Sequence, residues 1–253
     1  MKIALKIGNR LLFLFLVSSF ISEEKMDEKT KQVNKKGFVV LELFTSQGCS
    51  SYPPADKVLE KYALQDNSNS IPLAFHVDYW NYLGWKDPFS KAKFTTRQHE
   101  YAVKMESNLF TPQLIINGKY ELIGSKENEI QNIVLKELTS LKKEIISIDN
   151  LLIKENSLKV DYSLSFLKEN SVVNIVLVKK KDFITIKRGE NKGLQETNYA
   201  IVYDLVTKPV KEEKESIFIE FKKEWSPSNY KVVVYLQSRV NGEIFSVTQK
   251  AIN

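Results

Sequence analysis

The chain has 253 residues, 37 Lys and Arg against 31 Asp and Glu, and one cysteine. Its formal charge of +6 includes Lys2, Lys6 and Arg10, so without those three it carries about +3, and its remaining lysines are scattered rather than blocked together, which excludes a nucleic-acid grip. One cysteine excludes an internal disulfide, and the two histidines, His76 and His99, share no ligand spacing with it; neither a metal site nor a cofactor is read.

In chain order, three basic residues precede an apolar run from Leu11 to Ile21 that ends at Ser22, Glu23 and Glu24. This is the layout of a secretory signal peptide, over residues 1–22, and the run is short for a spanning helix. The reading is a periplasmic or secreted protein with no stable membrane insertion after signal cleavage. Residues 23–36 are charged and nearly free of apolar side chains, which suits a flexible spacer.

From residue 37 strand and helix patterns alternate. Strands are expected at 38–44, 71–77, 113–116 and 120–123, and helices at 56–64, 91–105 and 127–143, the last with Ile130, Ile133, Val134, Leu138 and Leu141 on one stripe. From Ile145 the period becomes two: Leu158, Val160, Tyr162, Leu164 and Phe166 alternate with polar residues. Further strands are expected at 172–178, 199–206, 217–221, 231–236 and 244–248. The expectation is an α/β domain over 37–144 and a β-sandwich domain over 145–253.

The first strand runs into Thr45-Ser46-Gln47-Gly48-Cys49-Ser50-Ser51-Tyr52-Pro53-Pro54, a polar loop that puts the lone thiol at the start of a helix. The first helical amides lack acceptors and the dipole is positive there, so a sulfur beside them ionises more readily, and the thiolate is the reactive form. The helix start is open between Ser51 and Pro54, because Tyr52 and Pro53 each precede a proline.

A strand, a thiol at a helix mouth, a second strand, a helix, Thr-Pro before a hairpin and a closing helix resembles the thioredoxin plan. The segments Leu41–Asp56, His76–Ser90, Thr95–Ala102, Phe110–Ser125 and Arg188–Gly193 resemble a secreted thioredoxin-like family known as domain of unknown function 1223. The resemblance implies a thioredoxin-like N-terminal domain, and the period-two strands after it make the expected second domain an all-β immunoglobulin-like sandwich. The family usually carries a CxxC pair, and here Tyr52 stands at the second cysteine, which rules out ordinary dithiol cycling.

Cys49 is the candidate nucleophile, and an inert buried cysteine is the plainer alternative. Tyr52 either donates to the sulfur, blocks it or fills the vacant cysteine niche. The resemblance makes Thr111-Pro112 the cis-proline step beside the thiol, with the Thr111 backbone free to pair an extended client. Trp80 and Trp85 offer a stacking wall or a seal on the fold, and Asp78 a proton-transfer group or a turn cap. The segment Arg188–Gly193 reads as a turn, and Ser46 and Glu42 stand where a peroxiredoxin would carry Thr and Pro. Monothiol exchange through Cys49, on a disulfide-bearing protein or a small thiol, is the leading expectation. The alternative is a non-catalytic binding module.

Overall fold

Strands covered on both faces need apolar residues on both. That pattern appears in β1, Val39–Thr45, and β2, Ser70–His76, in which every residue is buried. The computed structural model describes residues 37–65 and 69–253, so the expected signal peptide and spacer lie outside the described residues. Helix α1, Tyr52–Leu64, joins β1 to a parallel β2. Then follow a 3-10 turn at Asn81–Leu83, α2 at Ala92–Met105, the hairpin of β3, Gln113–Ile116, and β4, Tyr120–Ile123, and α3 at Glu127–Thr139. The rest is strand: β5 Ile146–Lys154, β6 Ser157–Leu164, β7 Ser171–Thr185, β8 Gln195–Pro209, β9 Lys214–Glu220, β10 Tyr230–Ser238 and β11 Ile244–Ala251.

The expected fold class is overturned. There is no thioredoxin-like α/β unit with a separate immunoglobulin-like sandwich, because the strands from both sides of residue 145 share one mixed eight-stranded sheet. Its order is β11-β10-β7-β8-β2-β1-β3-β4, and β5-β6-β9 form a small second sheet. The join is β8 running parallel to β2, with Ala74 beside Ile201. The physical reason is that Ile201, which lies beside Ala74, falls inside the expected strand 199–206, and period two says which residues share a face but not which strand lies alongside. The expected helix over 127–143 also stops earlier, at Thr139, leaving Leu141 exposed.

Alternation sorts the side chains into two faces. One face packs Val40, Phe44, Phe75, Val176, Val178, Val202, Val233 and Tyr235 against Phe94 and Tyr101 of α2. The opposite face is covered twice. At one end Leu41, Leu43 and Ala74 meet Ala55, Val58 and Leu59 of α1 and Ile130 and Val134 of α3. At the other, Val173, Ile175, Leu177, Val232 and Val234 meet Leu158, Val160, Ile217 and Ile219 of the small sheet.

The large sheet curls over α2 until its two hairpin turns meet. The Ile244 amide donates to the Asn117 carbonyl at 2.9 Å, and a Cβ on Gly118 would fall 1.9 Å from the Gly242 carbonyl oxygen, so that close approach needs glycine. Inside the curl Glu42 of β1 is wholly buried. It accepts from Arg97 Nε at 3.0 Å and Nη2 at 2.8 and 3.0 Å, from the Tyr235 hydroxyl at 2.8 Å and from the Tyr101 hydroxyl. Gln237 Nε2 donates onward to the Tyr101 hydroxyl at 2.7 Å. Arg97→Ala leaves this carboxylate buried without its charge partner, so the variant should lose about 3–5 kcal/mol of unfolding free energy in urea titrations. A loss below about 1 kcal/mol, the worth of an exposed pair, would show that the pair is not what holds α2 inside the curl.

Candidate functional site

Cys49 lies in the loop between β1 and α1, three residues before the first helical residue, Tyr52. A tight turn shapes the loop: the Cys49 amide donates to the Ser46 carbonyl at 3.0 Å, and the Gly48 amide to Ser46 Oγ at 3.1 Å. Gly48 sits in a tight space, since a Cβ there would lie 3.0 Å from Trp80 Cβ and 3.1 Å from the Trp80 carbonyl oxygen. The thiol is 5 % exposed, and its Sγ faces the Thr111 carbonyl oxygen at 3.9 Å. Thr111-Pro112 is a cis peptide bond.

The helix mouth is poor in free amides. Its second and third residues are Pro53 and Pro54, which have no N–H. The Tyr52 amide donates to the Cys49 carbonyl at 3.3 Å, and the Ser50 amide to Glu190 Oε2 at 3.3 Å. The first-turn donors that the sequence reading assigned to a thiolate are therefore missing or engaged.

The remaining candidates divide. Trp80 joins the site: its Nε1 donates to Thr111 Oγ1 at 2.8 Å, and its ring stacks on the exposed Tyr82 at 6.4 Å between centroids and 16° between planes. Trp85 braces the loop from beneath, its Nε1 donating to Gln47 Oε1 at 3.0 Å. Tyr52 does not bond the sulfur. It is fully buried, and its hydroxyl donates to Glu196 Oε2 at 2.6 Å, so the residue fills the niche below the loop. Burial first, then the Glu196 bond and charge, push that phenol far above its ordinary range. Asp78 serves as a turn anchor, accepting from Thr95 Oγ1 at 2.6 Å at the start of α2.

Beneath the loop lies a polar layer that the sequence reading did not assemble. Asp87 Oδ2 accepts the Gln47 amide at 2.9 Å and contacts His76 Nδ1 at 2.7 Å, with both side chains fully buried. Gln47 Nε2 donates to Asn198 Oδ1 at 3.2 Å, and Asn191 Nδ2 donates to the carbonyls of Gln47 at 2.8 Å and Cys49 at 3.0 Å. Thr45 Oγ1 donates to Asp56 Oδ1 at 2.9 Å. Periodicity and spacing carry no sign of these contacts, which span up to 151 positions. The only legible hint was the Arg188–Gly193 turn, read for its glycines rather than for Asn191.

The charges in this layer are displaced from their ordinary ranges. Burial raises the Asp56 carboxyl to about 7, with the His76 charge and the Thr45 bond offsetting part of that and Glu196 and Asp87 adding to it. Burial works against protonation of His76, but the Asp87 charge and hydrogen bond outweigh it and raise the imidazole. Asp87 moves the other way: burial opposes its ionisation, yet the His76 charge and bond and the amides of Gln47 and Phe89 hold it below the usual carboxylate range. Among the described residues no group of three or more His, Cys, Asp or Glu is placed to hold a metal ion, and no helix is long and apolar enough to cross a membrane.

A family model described as "Protein of unknown function (DUF1223)" matches residues 40–237. No curated protein matches the chain by sequence. Two solved structures share its architecture. A protein from Agrobacterium tumefaciens is 24 % identical, with 85 % of this chain and 93 % of that chain covered and a TM-score of 0.61. HBP35 of Porphyromonas gingivalis is 14 % identical, with 87 % and 77 % covered and a TM-score of 0.64. Both likenesses concern the fold alone.

The buried charges set the sign of the pH response. Asp56 and His76 are both raised in the folded state, so the stability each contributes is full at low pH and is lost as pH rises, for Asp56 between its unfolded value near about 4 and its folded value of about 7. Asp87 is lowered, so its contribution is present at higher pH and is lost as pH falls below the usual carboxylate range. Thermal melts across pH should therefore peak on the mildly acidic side, and Asp56→Asn should flatten the decline toward neutral pH. An unchanged decline in that variant would mean that Asp56 titrates as an ordinary carboxylate.

Proposed function

We propose, from the premise that this chain belongs to the DUF1223 family of proteins of unknown function, that it is an exported binding module. Its Cys49 face seats an extended polypeptide segment, and its thiol is enclosed and kept from reacting. Export rests on the signal-peptide reading of residues 1–22.

One observation carries this reading: the buried Cys49 Sγ faces a carbonyl oxygen, that of Thr111. An S–H can donate there, whereas a thiolate would meet the negative end of the carbonyl dipole. The prolines at the helix mouth and the engaged Ser50 and Tyr52 amides support it further. Around the sulfur, half-buried Trp80 stacked on exposed Tyr82, together with half-buried Thr111, supplies aromatic faces and backbone of the kind that hold extended peptides.

A second reading is favoured by the closeness of the sulfur to the Thr111 backbone, where a client's disulfide would be seated. In that reading the Cys49 thiolate attacks one client sulfur, the other leaves as a thiolate, and an outside thiol then reduces the mixed disulfide. The aromatic disulfide 5,5′-dithiobis(2-nitrobenzoic acid) separates the two, with Cys49→Ser as the blank. Slow release of thionitrobenzoate from the native protein, rising to one equivalent on unfolding in guanidinium, is the expected outcome. A fast, stoichiometric reaction of the native protein would overturn the binding-module reading in favour of monothiol exchange.

A further inference from the structure

The loop between β7 and β8, residues 186–194, reaches Cys49 from about 140 positions away. It is a rigid element in its own right. The Ile186 amide donates to the Leu194 carbonyl at 2.9 Å, the Gly193 amide to the Ile186 carbonyl at 2.8 Å and the Leu194 amide to the Asn191 carbonyl at 3.1 Å. Gly189 holds a φ of +77° against Trp85, where a Cβ would lie 3.1 Å from Trp85 Cβ.

From this platform two neighbouring side chains act on the cysteine loop in different ways. Asn191 is 7 % exposed and spends both hydrogens of its amide on the carbonyls that flank Gly48, those of Gln47 and Cys49. That fixes the direction of the backbone carrying the sulfur. Glu190 is exposed, and its carboxylate takes the Ser50 amide. Pro53 and Pro54 remove two donors from the first helical turn, and the Ser50 amide, next in the chain to Cys49, is already taken by a negative charge.

We infer that Glu190 and Asn191 are positioning residues that restrain Cys49: Asn191 locks the sulfur against the Thr111 carbonyl, and the Glu190 carboxylate opposes a second negative charge at the helix mouth. The inference rests on the reading that the thiol is kept from reacting, and says which groups restrain it. The step restrained is loss of the Cys49 proton to solvent followed by attack of the thiolate on a disulfide sulfur, with the other sulfur leaving as a thiolate. Glu190→Gln keeps an oxygen for the Ser50 amide and removes only the charge, so a purely structural role would survive it. Asn191→Ala removes the lock and leaves the charge.

The test is the rate at which the native full chain releases thiopyridone from 2,2′-dithiodipyridine, an uncharged disulfide that the Glu190 carboxylate does not repel, at low and high salt, for the wild type, both variants and Cys49→Ser, with thermal melting as the fold check. Glu190→Gln is expected to react several-fold faster than wild type at low salt with an unchanged melting midpoint. The gap should narrow at high salt, where the wild-type charge is screened. Asn191→Ala is expected to react faster at both salts. Slow reaction of the wild type and both variants would overturn the inference and leave the quiet-thiol reading standing, with burial alone as the restraint. Fast reaction of the wild type would overturn that reading; the inference then survives only if Glu190→Gln is faster still and loses the salt dependence. Equal rates in wild type and Glu190→Gln at both salts overturn it in every case.

Discussion

A carboxylate and a guanidinium taken wholly out of water fix this molecule's geometry. Glu42 and Arg97 sit inside the curl of the large sheet, and two buried charges are tolerable there only if each is paired and its remaining hydrogen-bonding capacity is met. Tyr101 from α2 and Tyr235 and Gln237 from β10 meet it, so the network joins strands four places apart in the sheet to the helix beneath them. An apolar core of the same volume would tolerate sliding; a bidentate ion pair with defined acceptors does not. Because β1 carries Glu42 at its middle and the cysteine loop at its end, the position of the thiol inherits that rigidity.

The cysteine loop itself is held by groups from several distant parts of the chain. Asp87 and Trp85 support it from the segment before α2, Asn198 from β8, Glu190 and Asn191 from the β7–β8 connection, and the Thr111 carbonyl faces its sulfur. Most of these bonds go to backbone atoms or to Gln47, not to the sulfur. The loop is thereby built as a scaffold that encloses the thiol, and Tyr52 packs beneath it. That arrangement fits a surface kept for shape more readily than one kept for electron transfer.

Much of the local structure was legible in the chain. β3 and β4 fall where the pattern puts them, β1 and β2 within a residue, and α2 within one residue, because a run such as Val39–Phe44 or the spacing of Phe94, Arg97, Tyr101 and Ala102 reports its own burial. The pairing of β8 with β2 was not legible: Ala74 and Ile201 are apolar residues like many others, and nothing local says that they lie side by side. In the site, Thr111 lies against Cys49 as the family resemblance implied, and Trp80 joins them through its bond to Thr111, which nothing in the chain pattern specified. The polar layer did not, since His76 in an apolar strand, Asp87 in a loop and Asn191 in a turn each look self-sufficient until the fold brings them to the same few backbone atoms.

The insertion of β8 beside β2 also bears on the order in which the chain matures. When residues up to the end of α3 have emerged, β2 has a partner on one side only, and its other edge is a row of unpaired amides and carbonyls on an apolar strand, which is the usual template for pairing with a foreign chain. The Glu42 carboxylate at that stage lacks the Tyr235 hydroxyl. Both wants are met by residues made later, β8 and then β10. The N-terminal part of the chain thus stays open to misassociation until the C-terminal strands arrive, so the natural unit for expression runs from β1 to β11 without a break.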